Sequence, residues 1–137
     1  SKMSKSDSNE NAYVLITDKP DVIRRKFKRS VTDSLGIVNY SDEQPGVKNL
    51  INTYSKITNI KPEKAVSNYE GKGYAQLKED VAEVVIEELK PIQEKIDYLL
   101  KNKDYLEKIF SIGAQKAEIA ANKTLRKAQK KVGFIPR

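Results

Sequence analysis

The sequence contains no cysteine, no histidine and no tryptophan among its 137 residues. Without cysteine there is no disulfide scaffold and no thiol nucleophile, and without histidine there is no Ser-His-Asp triad. A zinc cluster is excluded as well. No protein-bound metal is expected. No apolar run approaches the roughly 20 residues that cross a membrane, and the N-terminus lacks the apolar core of a signal peptide. These absences predict a soluble, cytoplasmic protein of one-domain size with no membrane partner.

The positive charge is concentrated in two parts of the chain. Residues 19–29 carry +5 and residues 101–137 carry +7, whereas residues 1–18 carry −1 and residues 30–100 carry −4. This distribution is typical of a protein whose particular faces meet a polyanion. Charge alone leaves open the alternative that the lysine-rich helices are simply solvated.

Apolar spacing predicts an all-α fold, a helical bundle of about five helices with a polar N-terminal loop. Residues 1–11 have no apolar periodicity, and Tyr13–Thr17 is a β-prone run that is predicted to be either a short strand or a packed extended segment. The first helix is predicted to have Asp18 as its N-cap, Pro20 in its first turn and Val31 on its packed face. A core of Val, Ile, Leu and Ala is expected from four further helical patterns, which begin near residues 46, 61, 74 and 104.

The candidate chemistry lies in Lys2-Met3-Ser4-Lys5-Ser6. Two lysines three residues apart, with hydroxyl groups beside them on a flexible loop, suit a polyphosphate, because ammonium groups supply point charges and Ser and backbone N–H groups donate hydrogen bonds. Such a loop can stabilise the negative charge that appears on a leaving pyrophosphate. As composition alone, the pentapeptide also fits an exposed polar terminus.

The string KMSKS resembles the signature loop of the class I aminoacyl-tRNA synthetases, and the blocks that follow narrow the resemblance to the bacterial-type tryptophan–tRNA ligases. Those blocks occur in the family's order and spacing: VTDS at 31–34, PGVKNLI at 45–51, YEGKGY at 69–74, LK at 77–78, LKPIQE at 89–94, GAQKA at 113–117 and VGF at 132–134. The resemblance therefore spans essentially the whole chain.

The resemblance implies an enzyme that activates L-tryptophan with ATP, accompanied by Mg²⁺, and transfers the amino acid to tRNA(Trp). It implies that residues 2–6 are the ATP-binding signature, with Lys5 as the principal transition-state contact to pyrophosphate, Lys2 as a supporting catalytic contact and Met3 as an anchor of the loop. Ser4 and Ser6 belong to the same ATP-binding motif.

The family's Rossmann domain, with its HIGH-type motif and amino-acid pocket, is missing from this sequence, which therefore resembles a C-terminal part. Residues 1–17 would be the loop and edge segment of the missing catalytic domain, and residues 18–137 the helical domain that binds tRNA at its anticodon. This part alone is expected not to activate tryptophan. Because family members are homodimers through the catalytic domain, it is also expected to be monomeric.

Six basic residues on two helices are the candidate tRNA contacts: Arg24, Arg25, Lys28, Lys123, Arg126 and Lys127. Basic side chains position RNA through its phosphates and make affinity fall with salt. For the residues on the first helix, packing or pairing against the missing catalytic domain is an alternative. Base readers are not named, because the last helix has no aromatic residue between Phe110 and Phe134. Asp33 and its neighbours either hold a hinge or cap a turn.

Two other interpretations stay open. The related tyrosine–tRNA ligases share the KMSKS loop, although the VTDS and YEGKGY blocks and the short chain after the last helix favour the tryptophan enzymes. A non-catalytic, basic, RNA-binding helical module without ATP chemistry also fits the charge pattern.

Overall fold

A computed structural model describes residues 8–134, in which five α-helices follow one short 3₁₀ helix at Glu10–Ala12. The α-helices are α1 (Pro20–Lys28), α2 (Pro45–Thr58), α3 (Pro62–Ser67), α4 (Tyr74–Lys101) and α5 (Lys103–Lys131). The prediction of an all-α fold is confirmed, and no segment within residues 8–134 forms a β-strand. The KMSKS string at residues 2–6 lies outside the described residues.

Local signals in the sequence set the ends of the helices. Pro20, Pro45 and Pro62 each stand at a helix start, where the missing proline N–H has no partner to lose and the fixed φ angle suits the first turn. α2 ends at Thr58, and the next residue, Asn59, has a left-handed φ of 57° that turns the chain toward α3. Because these signals are local, the helix starts agree closely with those predicted from the sequence.

The residues divide into two compact units, one ending at Glu94 and the other beginning at Lys95. The first unit has an apolar core drawn from α1 to α4 and the loop before α2, made of Ile23, Val38, Val47, Leu50, Ile51, Ala65, Tyr69, Leu77, Val81 and Val85. Each fully buried Ile, Leu or Val contributes about 1.5–3 kcal/mol relative to an exposed one. The second unit contains the end of α4 and α5, and no residue of α5 is buried. This division is not the predicted domain boundary after residue 17. That boundary separates a segment assigned to the catalytic domain from the helical domain, and it stays a prediction.

Two expectations about the first helix are wrong, and of the two alternatives for the segment before it the strand does not form within residues 8–134. Tyr13–Thr17 is a loop and turn, because its backbone is held by side chains and not by a neighbouring strand. The N-cap is Lys19, because the carboxylate of Asp18 is engaged by the Leu15 N–H and by a lysine of α1. Val31 is 88% exposed, since the helix has already ended before it and its periodicity no longer applies.

Gly46 allows a close approach between α2 and the loop after α1. A Cβ atom at this position would lie 2.3 Å from the carbonyl oxygen of Val31, well inside van der Waals contact. The atoms it would meet belong to the backbone, which cannot rotate away as a side chain can. Only glycine therefore fits in the first turn of α2 while the loop keeps its path.

Candidate functional site

The predicted ATP-binding residues Lys2, Met3, Ser4, Lys5 and Ser6 lie outside the described residues. Their roles, including the catalytic roles of Lys2 and Lys5, stay predictions. The six candidate tRNA contacts lie within the described part of the chain, three on α1 and three on α5.

A groove between α1 and α4 brings together two of the candidates on α1. It has a volume of about 490 Å³ and is lined by Arg24, Lys28, Ala75, Lys78, Glu79 and Ala82. The two alanines leave space at its surface, and three cations outnumber one carboxylate. Arg25 is exposed but does not line this groove. The groove therefore offers a cationic recess to which two of the three predicted residues of α1 contribute.

Arg24 is already paired inside the protein. Its Nε and Nη2 donate to the two carboxylate oxygens of Glu83 at 2.5 and 3.0 Å, and Nη1 donates to Asp21 at 3.2 Å. The hydrogen bond from Arg24 lowers the pKa of Glu83 below its ordinary value. This bidentate geometry is the strong form of an arginine–carboxylate contact, and it balances most of the guanidinium charge.

Lys28 and Lys78, the other cations of the groove, differ in how they are held. Lys78 Nζ donates to the carbonyl oxygen of Ser30 at 2.7 Å, which ties α4 to the chain just after α1. Lys28 is exposed and has no acidic partner among residues 8–134. Of the groove's cations, Lys28 is therefore the best placed for a phosphate contact.

The three candidates on α5 share one face. Lys123, Arg126 and Lys127 line a recess of about 500 Å³ together with Ile119 and Asn122. Their i, i+3, i+4 spacing makes them neighbours on the helix surface. No carboxylate lines this recess, so the face is cationic, and the sequence prediction did not include Asn122. Asn122 lies three residues after Ile119 and four before Arg126, and this helical spacing could have placed it on the same face.

A partly buried hydrogen-bond network fixes the loop between α1 and α2. Asp33 Oδ1 accepts from Tyr74 Oη at 2.5 Å, from Gln44 Nε2 at 3.2 Å and from the Leu35 N–H at 2.8 Å. Gln44 is only 2% exposed and also donates to the carbonyl oxygen of Ile37 at 3.1 Å. The hydrogen bond from Tyr74, more than any other contact, lowers the pKa of Asp33. Asp33 thus caps a turn, one of the two predicted roles.

A second polar cluster holds the segment that enters α1. Lys26 is 7% exposed, and its Nζ donates to Asp18 Oδ2 at 2.7 Å, the oxygen that also accepts the Leu15 N–H at 2.9 Å. Gln93 Nε2 donates to the carbonyl oxygens of Ile16 and Asp18 at 2.8 and 2.9 Å. Burial raises the pKa of Asp18, but the bonds from Lys26 and Leu15 outweigh it and leave that pKa below its ordinary value.

The sequence interpretation overlooked Lys26 because it lies within a cationic run. Its position three residues after the buried Ile23 was the available signal, since that spacing puts it on the packed face of α1. Gln44 had no comparable signal, because its partners Asp33 and Tyr74 lie 11 and 30 positions away.

No helix of the described residues is both long and apolar enough to cross a membrane. Within residues 8–134, no group of three or more Asp and Glu side chains is placed to hold a metal ion.

Comparison with known proteins shows similarity along the whole chain. Residues 1–90 match the family model described as tRNA synthetases class I (W and Y). The chain is 60% identical to the tryptophan–tRNA ligase of Clostridium perfringens over 136 residues, which make up 99% of this chain and 41% of the relative. It is 44% identical to the tryptophan–tRNA ligase of Bacillus subtilis over 134 residues, 97% of this chain and 40% of that relative.

The crystal structure of tryptophanyl-tRNA synthetase from Mycoplasma pneumoniae is among the solved structures with a similar fold. Its TM-score is 0.69 at 23% identity, and the match covers 97% of this chain and 41% of that one. At this identity the likeness concerns the fold alone. The chain spans about two fifths of the length of the curated relatives that it matches.

Proposed function

Because this chain belongs to the class I tRNA synthetases of the W and Y family, we propose that it is the C-terminal part of a tryptophan–tRNA ligase. The ligase joins L-tryptophan to ATP, forming tryptophanyl-adenylate and pyrophosphate, and then transfers the amino acid to tRNA(Trp). The observation that carries this proposal is the similarity, over nearly all of the chain, to proteins named tryptophan–tRNA ligases. The choice of tryptophan over tyrosine rests on the same relatives.

In this proposal the two ends of the chain have different tasks. Residues 2–6 bind ATP, which arrives with Mg²⁺, and Lys5 stabilises the charge that develops on pyrophosphate, with Lys2 in support. The helices supply the tRNA-facing surface. The complete ligase acts in the cytoplasm as a homodimer, and the dimer contacts lie outside this chain.

The geometry of α5 supports a role in tRNA binding. Lys123, Arg126 and Lys127 form an exposed cationic face without a carboxylate, so each side chain is free to exchange its counterions for phosphates. On α1, Lys28 offers the same chemistry, whereas Arg24 must first leave Glu83. We therefore propose that α5 and Lys28 provide most of the phosphate contacts, with Arg25 as a further exposed cation and Arg24 as a minor contributor.

A chimera tests the proposed activity. In the Clostridium perfringens ligase, the matching segment is replaced by this chain, and tryptophan-dependent ATP–pyrophosphate exchange and tRNA charging are measured. We expect both activities to be retained, with tRNA(Trp) as the tRNA that is charged. A folded chimera that binds tRNA but has no exchange activity would favour the non-catalytic RNA-binding module, and charging of tRNA(Tyr) in place of tRNA(Trp) would favour the tyrosine enzymes, because the amino-acid pocket of the chimera comes from the Clostridium perfringens part.

Charge reversal on α5 is expected to weaken tRNA binding. The double variant Arg126→Glu/Lys127→Glu removes two phosphate contacts, so the slope of log K against log[salt] should become shallower by about 2. Binding is measured by filter retention or anisotropy at several salt concentrations. The matched control is Lys61→Glu/Lys64→Glu, which makes the same charge change at exposed positions outside both recesses. Equal weakening by both pairs would mean that only overall charge matters, and unchanged binding would assign the α5 face to solvent.

A further inference from the structure

The recess on α5 contains two residues that phosphate binding alone does not explain. Ile119 and Asn122 line it beside the three cations. Ile119 is 71% exposed, although it is one of the most apolar residue types. The side-chain amide of Asn122 is partly buried and has no hydrogen-bond partner in the described part of the chain. The recess therefore combines an apolar surface, an unused donor and acceptor, and positive charge.

The residues of the recess form one stripe along the helix. Counted from Ile119, they stand at i, i+3, i+4, i+7 and i+8, and side chains at these spacings are neighbours on the helix surface. At a rise of about 1.5 Å per residue, the stripe is about 12 Å long. Because all of them belong to α5, the order of these groups is set by one helix.

Each group in the stripe matches a part of an unpaired nucleotide. An apolar side chain can cover the face of a base that has left its stack. A side-chain amide carries both donors and an acceptor, so it can bind the edge of a base through two hydrogen bonds. The cations suit the flanking phosphates. A base inside an RNA duplex has its faces stacked and its pairing edge occupied, so it could use only the cations.

We infer that the α5 recess is a binding site for an unpaired nucleotide of the tRNA. Asn122 binds the edge of the base, Ile119 packs on its face, and the cations hold the phosphates on either side. The identity of the RNA rests on the proposed function, whereas the preference for an unpaired nucleotide rests on the recess alone. The absence of an aromatic residue in the middle of α5 thus does not prevent recognition of a base.

The test is Asn122→Leu in this chain. Leucine has nearly the same shape and favours a helix more than asparagine does, so α5 is retained. We expect the affinity for a tRNA(Trp) transcript to fall about tenfold at every salt concentration, the effect of losing one two-bond contact to a base. The slope of log K against log[salt] should not change, because no charge is removed. Anisotropy at several salt concentrations measures both quantities.

A fully paired RNA duplex is the comparison ligand. Its binding should be the same for Asn122→Leu and for the unmodified chain, because the duplex contacts only the cations. Unchanged tRNA affinity in Asn122→Leu, or an equal loss of affinity for the duplex, overturns the inference.

The matched control is Asn49→Leu. It makes the same change at an exposed position of α2, outside both recesses, where the side-chain amide likewise has no hydrogen-bond partner among residues 8–134. Binding of tRNA should be unaffected, and a loss equal to that of Asn122→Leu overturns the inference. If Asn122→Leu fails to fold, Ile119→Ala decides instead. We expect it to weaken tRNA binding about fivefold and to leave duplex binding unchanged; unchanged tRNA binding overturns the inference.

Failure of the proposed function has a different result. If the unmodified chain does not bind tRNA(Trp), its proposed role in tRNA binding is wrong, and single-stranded RNA octamers of A, C or U then decide the inference. Binding of an octamer that Asn122→Leu weakens about tenfold supports a site for an unpaired nucleotide. Octamer binding that Asn122→Leu leaves unchanged overturns it. Absence of octamer binding also overturns it and would assign the cationic stripe to an acidic protein partner.

Discussion

Lys5→Ala in the chimera is expected to slow tryptophanyl-adenylate formation by roughly 100- to 1000-fold, the usual effect of removing one donor to charge that develops in the transition state. The affinity for ATP in the ground state should change far less, because the contact strengthens only as negative charge accumulates on pyrophosphate. The measurement is the rate of tryptophan-dependent ATP–pyrophosphate exchange as a function of ATP concentration, which separates kcat from KM.

Two companion variants sharpen the interpretation. Lys2→Ala should have a smaller effect of the same kind, since Lys2 is proposed as a supporting contact. Lys61→Ala removes an exposed lysine at the start of α3, outside the motif, and should leave exchange unchanged. Equal losses in ATP affinity and in kcat for Lys5→Ala would show that the side chain binds ATP uniformly, and the transition-state role would be wrong.

Gly46→Ala is expected to destabilise the chain by about 3 kcal/mol, at the upper end of overpacking effects. Helix propensity alone predicts the opposite sign, since alanine in a helix is favoured over glycine by about 0.5–1 kcal/mol. The clash decides the outcome, because the new Cβ would lie 2.3 Å from the Val31 carbonyl oxygen, a backbone atom. Urea unfolding of the chain, followed by circular dichroism, measures the change.

The control for this prediction is Gly113→Ala in α5, where nothing lies within 4 Å of the new Cβ. There the propensity gain is unopposed, so helix content or stability should rise slightly. If Gly46→Ala were as stable as the unmodified chain, the loop at Val31 would move aside at little cost. The conclusion that only glycine fits at this position would then be wrong.

The helical architecture was predictable because its signals are local. Proline at the starts of α1, α2 and α3 and the three- and four-residue apolar spacing depend on neighbours within a few positions. The strand alternative for Tyr13–Thr17 could not be decided from the sequence, because β-propensity describes a side chain's fit to a sheet and does not reveal that residues 8–134 supply no neighbouring strand.

The candidate site was predictable in part, for the same physical reason. On α5 the three cations are three and four residues apart, so one helix determines their common face. On α1 the fate of Arg24 depends on Glu83, which lies 59 positions away, and sequence spacing says nothing about such a contact. The role of Lys26 likewise depends on burial, which charge counting does not reveal.

The hydrogen-bond network around Asp33 links several of the sequence blocks that resemble the family. Asp33 lies in the VTDS block, Tyr74 closes the YEGKGY block, and Gln44 immediately precedes PGVKNLI. Strings that are far apart in the sequence thus meet at a single carboxylate. The matches of these blocks to the family are therefore not independent of one another. A chain with a carboxylate acceptor at position 33 has a physical reason to have hydrogen-bond donors at positions 44 and 74.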